Sequence, residues 1–273
     1  MSGHGSTRRP AKFPLQLGQL GTKRAAPAEP LRPQRPLQEA ERDRARATKP
    51  AGLGLDSEGV RRRMVERLRA DGVRNEQVLS AMAAVPRHLF VDTALANQAY
   101  EDTSLPIGLS QTISKPSVVA RMIELMLAGR TAPLARVLEI GTGCGYQAAV
   151  LARVARHVVS VERLRPLHDK ARAHLALLPP LGLPTSGIRL VYGDGMLGHA
   201  PNAPYEGIIA AAGGAALPAT WLEQLAPGGR LVAPMVEANG GQVLVVVDRD
   251  AQGQLHRRVH EAVHFVPLKS GVN

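Results

Sequence analysis

Aromatic residues and cysteine are scarce in this chain. Only 3% of its 273 residues are Phe, Trp or Tyr, so a core must be built from Val, Leu, Ile and Ala, which the 44% hydrophobic content supplies. Cys144 is the single cysteine, which excludes an internal disulfide and, with the next two absences, makes the cytoplasm the expected compartment. We expect Cys144 to be a small residue tucked into a turn, not a reactive thiol. No run approaches the ~18 uninterrupted apolar residues of a membrane span. No apolar stretch opens the chain as a secretory signal would, so no membrane partner is expected. There is no internal repeat and no H-E-x-x-H motif. His256, His260 and His264 are spaced by four, as on the metal-binding face of a helix, but Val259, Val263, Phe265 and Val266 around them suit a strand. No metal site is expected.

Positive charge is plentiful, at a net +11. It is also unevenly placed: residues 1–55 carry eleven Lys/Arg against four Asp/Glu, seven of those eleven charges. That stretch is rich in Pro, Arg, Gln, Ala and Gly without sustained periodicity. It predicts a disordered basic tail over 1–55 ahead of one domain at 56–273. The mild basicity left to the domain does not call for nucleic acid, since no basic and aromatic patch for stacking bases accompanies it.

The informative stretch is Val137-Leu138-Glu139-Ile140-Gly141-Thr142-Gly143-Cys144-Gly145-Tyr146-Gln147. An apolar run, a glycine turn and a helix-compatible segment read as the ligand-binding corner of a doubly wound α/β sheet. Gly141, Gly143 and Gly145 give G-x-G-x-G, whereas the dinucleotide fingerprint needs G-x-G-x-x-G to bring a helix N-terminus to a pyrophosphate. Glu139, just ahead of the turn, would repel a phosphate and welcome a cationic, phosphate-free ligand. S-adenosyl-L-methionine (AdoMet), with its ammonium and sulfonium, is such a ligand. The spacing disfavours an NAD dehydrogenase.

Along the chain, helices are predicted from an N-cap at Ser57 to Ala70, over Asn75–Ala84, and briefly after Pro86. The loop from Leu105 to Pro116 presents hydroxyls at Ser110, Thr112 and Ser114 before a helix over 117–128; it reads equally as a capping loop or as a binding loop. Strands follow at 137–140, 158–162, 188–192, 205–211 and 230–234, with a helix at 217–225 and a terminal strand pair at 242–248 and 259–267. Glu162 ends the second core strand 17 residues beyond Gly145, where a carboxylate can accept from a ribose diol. Asp194, between two glycines at the next strand end, can accept from an adenine amino group or form an Asx-turn.

These residues together resemble the protein-L-isoaspartate O-methyltransferases, a family of class I AdoMet-dependent methyltransferases, over roughly residues 57 to 270. Pro106-Ile107-Gly108, Gln111-Thr112-Ile113-Ser114-x-Pro116, the 137–147 stretch, Gly193-Asp194-Gly195, Ala203-Pro204-Tyr205, Leu225 to Leu231 and Phe265 to Leu268 fall in the family's order, and Pro86-Arg87-His88 and Phe90-Val91 match its N-terminal region. The sequence departs at Glu206, where Asp is usual, at Met196 and His199, where tryptophans are common, and in the small residues Ala210 to Gly214.

The resemblance implies a mostly parallel Rossmann-like methyltransferase sheet with an N-terminal helical cap and an antiparallel C-terminal strand. With the motifs, it implies that the domain divides into a helical, substrate-facing part (56–130) and a Rossmann-like core (131–273). It implies methyl transfer from AdoMet to the α-carboxylate of L-isoaspartyl residues in damaged proteins and peptides, giving an ester that converts through a succinimide to aspartyl. Ser114 corresponds to the active-site serine, with Ile107, Gly108, Gln111, Thr112 and Ile113 binding substrate. Glu139, Gly141, Thr142, Gly143, Gly145, Tyr146 and Gln147 would cradle the methionine end of AdoMet, Glu162 and Arg163 the ribose, and Asp194 and Gly195 the adenine. A monomer is expected. An RNA methyltransferase and a non-catalytic AdoMet-binding module stand as alternatives.

Overall fold

The computed structural model of the chain describes residues 58–273. The expected tail over 1–55 and the expected N-cap at Ser57 lie outside the described residues. The described chain opens with α1 (Glu58–Ala70) and α2 (Glu76–Ala84), and then the antiparallel hairpin β1 (Leu105–Gly108) and β2 (Gln111–Ile113). Helix α3 (Pro116–Leu127) starts at a proline, whose missing N–H costs nothing in the first turn, and buries Met122, Ile123 and Met126.

The sheet begins at β3 (Leu134–Ile140) and steps outward through α4 (Tyr146–Leu151) to β4 (Ala155–Glu162) and through α5 (Arg165–Leu175) to β5 (Ile188–Tyr192). It then returns to the far side of β3 with β6 (Tyr205–Ala210), continuing through α6 (Ala219–Gln224) to β7 (Leu225–Val236). These five strands are parallel. The reversal between β3 and β6 is the switch point at which such sheets open a crevice at their carboxyl ends. Strands β8 (Gln242–Arg249) and β9 (Leu255–Val263) extend the sheet beyond β7 through antiparallel pairings, so β8 runs against the other strands and β9 returns to their direction.

Period-two alternation sorts the strands' side chains into two cores. Val137, Val158, Ile209 and Val232 pack with the helical cap, alongside Met82, Phe90 and Met126. Leu138, Val159, Ile208 and Leu231 face the other side, around Trp221 and Tyr205. All seven strands expected from the pattern are present in the sheet, but two boundaries moved. Helix α6 stops at Gln224, because Leu225 already pairs with Tyr205 and the Pro227-Gly228-Gly229 segment forms a bulge within β7, not a break before it. The last strand lies earlier than the expected 259–267. Asp250 accepts from the backbone N–H groups of Gln252 and Gln254, closing a tight turn that fixes β9 at Leu255–Val263. The valine pattern misled because β9 is an edge strand: Val259 is 55% exposed, while Phe265 is buried beyond the strand's end. His256 and His260 therefore lie on β9, with His264 past its end, and His256 pairs with Asp250 at 2.8 Å.

Candidate active site

The carboxyl ends of β3, β4 and β6 open onto a cavity of about 770 Å³. The turn from Gly141 to Gln147 forms its floor, the segment from Glu162 to Leu167 one side, and the tip and second strand of the hairpin, with Ser114, the other. Residues 266–269 and Asn273 cross above. This strap leaves β9, joins the sheet through Gly213 N–H to Val266 O (2.9 Å) and Leu268 N–H to Gly213 O (2.8 Å), and ends with Asn273 N–H donating to Arg163 O (2.9 Å).

The floor has its shape for local reasons. Gly145, the residue capping α4, has φ +91°, and a Cβ there would sit 3.3 Å from that of Ala171; only glycine fits. Glu162 holds the turn from the neighbouring strand end. One carboxylate oxygen accepts from Gly143 N–H (2.8 Å) and the other from Leu164 N–H (2.9 Å). Its side chain still reaches the cavity wall, so lone pairs remain for a ligand's hydroxyls. Gln147 also lines the cavity, and its amide nitrogen is buried without a partner, a donor waiting for an acceptor. A buried carboxylate, a glycine floor and an orphaned amide fit a polar, phosphate-free ligand such as AdoMet.

Glu139 is not on the wall. It pairs in register with Ser160 of β4, on the sheet face that lies beneath the cap, and is fully buried. Ser160 Oγ hydrogen-bonds one of its oxygens and Thr142 Oγ1 at 2.5 Å, and the other oxygen has no partner. Burial pushes its carboxyl up to about 8, against the Ser160 hydrogen bond that lowers it and with the charge of Glu162 that raises it further. The direct contact expected for Glu139 is thus replaced by a relay, Glu139 to Ser160 to Thr142, with only Thr142 at the cavity. Strand alternation explains this, since Ile140 next door takes the cavity-facing position. Asp194 is likewise behind the wall, as the Asx-turn alternative had it. Its oxygens accept from Met196 N–H (2.8 Å) and Gly271 N–H (2.6 Å), leaving its neighbour Gly195 at the cavity.

In the hairpin, Leu109 and Ser110 form a two-residue turn with φ +52° and +57°, a left-handed pair that normally calls for Asn-Gly. Gln111 Nε2 bonds both of their carbonyls at 3.2 Å. Gln111, Thr112, Ile113 and Ser114 reach the wall, whereas Ile107 and Gly108 support from behind. The Ile107 Cδ1 atom lies 3.2 Å from where a Cβ on Gly143 would stand, so hairpin and glycine turn press on each other. Tyr146 meets the cavity from below while its ring packs edge-on to Phe90 at 5.5 Å. Cys144 is buried and its thiol is pushed up to about 11 by burial, which leaves it unreactive. None of Met196, His199 or Glu206 lines the cavity; Glu206 instead accepts from Ala135 N–H at 2.6 Å, tying β6 to β3.

Two residues escaped the sequence reading. Arg87 is fully buried, donating from Nε to Ala99 O and from Nη2 to Ser114 O, each at 2.7 Å, with its guanidinium 4.8 Å from the Tyr146 ring centroid. Lys170 of α5 donates to Ile107 O at 3.0 Å. An arginine inside the apolar run from Ala83 to Val91 was the one available signal; Lys170 looked like any exposed helix lysine.

Comparison with known proteins agrees with this geometry. The family model for protein-L-isoaspartate(D-aspartate) O-methyltransferase matches residues 60–273. A protein-L-isoaspartate O-methyltransferase of Methylibium petroleiphilum is 68% identical over 272 residues, covering 97% of this chain and 98% of its own. Among solved structures, a protein-L-isoaspartate O-methyltransferase superposes with a TM-score of 0.66 at 28% identity, over 78% of this chain and 67% of its own. A Plasmodium falciparum protein described under the same name, in complex with S-adenosyl-L-homocysteine, shares the fold with a TM-score of 0.64 at 22% identity, over 77% of this chain and 98% of its own. The hairpin, glycine turn and strap that enclose the cavity all fall inside that family match, and the chain belongs to the protein-L-isoaspartate(D-aspartate) O-methyltransferase family.

Proposed function

We propose that this chain transfers a methyl group from AdoMet to the α-carboxylate of L-isoaspartyl residues in damaged proteins and peptides, as a repair methyltransferase. The observation that carries this reading is one cavity with a glycine turn and Glu162 on one side and the hydroxyl-bearing hairpin facing them. The reported relatives are named for isoaspartate, and none for RNA.

AdoMet, when bound, supplies an electrophilic methyl group. The chain's part is to hold and orient. A carboxylate with a pKa of ~4 is already a nucleophile at neutral pH and needs no general base. Ser114, with Thr112 and Gln111 beside it, donates to that carboxylate and fixes its approach; Ser114 is a positioning group, not a nucleophile. Leu109 at the hairpin tip and the strap at 266–269 exclude water. Glu162 receives the ribose hydroxyls, with Arg163 beside it, and Gly195 borders the adenine. Gly141, Gly143 and Gly145 keep the floor open, and Tyr146 and Gln147 border the methionine end. Glu139 acts through Ser160 and Thr142, and Asp194 by shaping the turn that presents Gly195. The domain works as a cytoplasmic monomer, and residues 1–55 are dispensable for the chemistry.

The test is methyl transfer from labelled AdoMet to an L-isoaspartyl peptide and to its ordinary aspartyl twin, with AdoMet binding followed by calorimetry. Label on the first alone supports the proposal. Binding without transfer to either peptide would overturn it.

A further inference from the structure

We propose that Arg87 and Lys170 form a cationic backing to the substrate hairpin, which makes the site select a charged carboxylate at Ser114 over a neutral group of the same shape. This rests on the function proposed above and deepens it.

The groups at the wall do not explain such selection. Hydroxyls on Ser114 and Thr112 and the amide of Gln111 bond a carboxamide as readily as a carboxylate. Of the cations at the wall, Arg163 stands next to Glu162 with its Nε on Gly271 O and Lys269 is exposed on the strap, so charge at Ser114 comes from behind the hairpin. Lys170 bonds the carbonyl of Ile107 in the hairpin's first strand, close to the turn, and Arg87 the carbonyl of Ser114 just past the second strand. Both cations spend their hydrogen bonds on neutral carbonyls. Among the described residues, no carboxylate lies within ion-pair distance of either. Arg87 is wholly buried and its Nη1 has no partner. A buried cation without a counter-charge is costly, and is retained where something else offsets it.

The surroundings leave the charge largely uncancelled. Tyr146 and Cys144, the titratable groups packed against Arg87 from α4 and the glycine turn, are neutral, since burial raises both. Asp102 is the acid whose charge reaches Arg87, and its oxygens already accept from Ser117 N–H (2.8 Å) and Ser117 Oγ (2.7 Å). His174, beside Lys170, is held below its usual pKa by burial. Glu162 faces the hairpin from the opposite wall with its oxygens on Gly143 and Leu164, and Lys115 and Lys269 are exposed, so water screens them. A positive field in a low-dielectric wall acts on an ionised ligand and leaves a neutral one nearly untouched.

The alternative is that both residues only fasten the hairpin. The experiment separates the two with the full chain and one peptide in two forms. The L-isoaspartyl peptide is the substrate. The same peptide with its α-carboxylate converted to an α-carboxamide is a competitive inhibitor. K170M and R87M should each raise the KM of the carboxylate peptide roughly tenfold while the amide's Ki stays within about twofold. K170R and R87K, which keep the charge, should hold the ratio of the two near wild type, and calorimetry with S-adenosyl-L-homocysteine should show an intact site. Should R87M fail to fold, the partly buried Lys170 still decides the matter, together with D102N. That variant removes the acid charge that reaches Arg87, keeps an acceptor for Ser117 N–H, and should lower the carboxylate KM. KM and Ki rising together, or a K170M that leaves KM unmoved, would overturn the inference. A wild-type chain that methylates no isoaspartyl peptide would instead overturn the function on which it rests.

Discussion

Glu139→Gln offers a sharp test of how the floor of the site is built. The Glu139 carboxyl is fully buried, and burial lifts it from an ordinary 4.5 to about 8. The sign follows from proton counting. Between pH 4.5 and 8 the unfolded chain has released this proton and the folded chain has kept it. Rising pH therefore favours unfolding across that window, by about 1.4 kcal/mol per pH unit, reaching about 4 kcal/mol at pH 7.5. Stability is fullest below 4.5, falls to about pH 8 and then levels. A glutamine is neutral throughout and can still accept from Ser160 Oγ. The stability difference between the variant and the wild type should thus shift in favour of the variant by about 3 kcal/mol from pH 5 to pH 7.5. Urea unfolding of both proteins at half-unit pH steps measures it by linear extrapolation. A cation seated at the cavity favours the ionised carboxylate, so saturating AdoMet should shrink the difference. Parallel pH curves for the two proteins would refute the reasoning, because they would mean Glu139 is ionised in the fold.

Three further outcomes are expected. Ser114→Ala should lower kcat/KM for an isoaspartyl peptide by about 10- to 100-fold, as one lost oriented hydrogen bond of roughly 1.4–2.7 kcal/mol would, and steady-state rates check this. Glu162→Ala removes the acceptor for Gly143 and Leu164 as well as for a ribose, so calorimetry should show at least a roughly tenfold weaker AdoMet complex and denaturation a loss of about 3 kcal/mol; affinity loss without destabilisation would contradict the clamp. Replacing Leu109-Ser110 by Asn-Gly relieves two left-handed residues at roughly 1–2 kcal/mol each, so Tm should rise while the peptide KM worsens for want of the exposed leucine.

The sequence made the fold's corner legible because glycine spacing, a strand's apolar run and the second strand's acid are local signals. Glu162 at the second strand's end was legible this way, whereas the hairpin was legible only as a loop carrying hydroxyls. Glu139 was placed one layer too far forward, since which face a strand residue takes depends on its cross-strand partner Ser160, 21 positions away. Asp194 met the same fate through Gly271, a contact spanning 77 positions. Glu162 was read as a ligand residue alone, and its hold on the turn makes its removal a stability question too. Lys170 carried no local pattern and Arg87 only its place in an apolar run, because the partners that give them a role are distant backbone carbonyls. The β9 boundary failed for a different reason: an exposed edge strand does not show the apolar pattern of a buried one.

The most direct test of the account follows one L-isoaspartyl peptide through time by chromatography and mass spectrometry, with AdoMet and the full chain present. The account predicts that the peptide gains a single methyl group, loses it as methanol through a succinimide, and accumulates as the ordinary aspartyl form. The aspartyl twin should stay unmodified. A peptide that never gains the methyl group, or a twin methylated equally well, would contradict it.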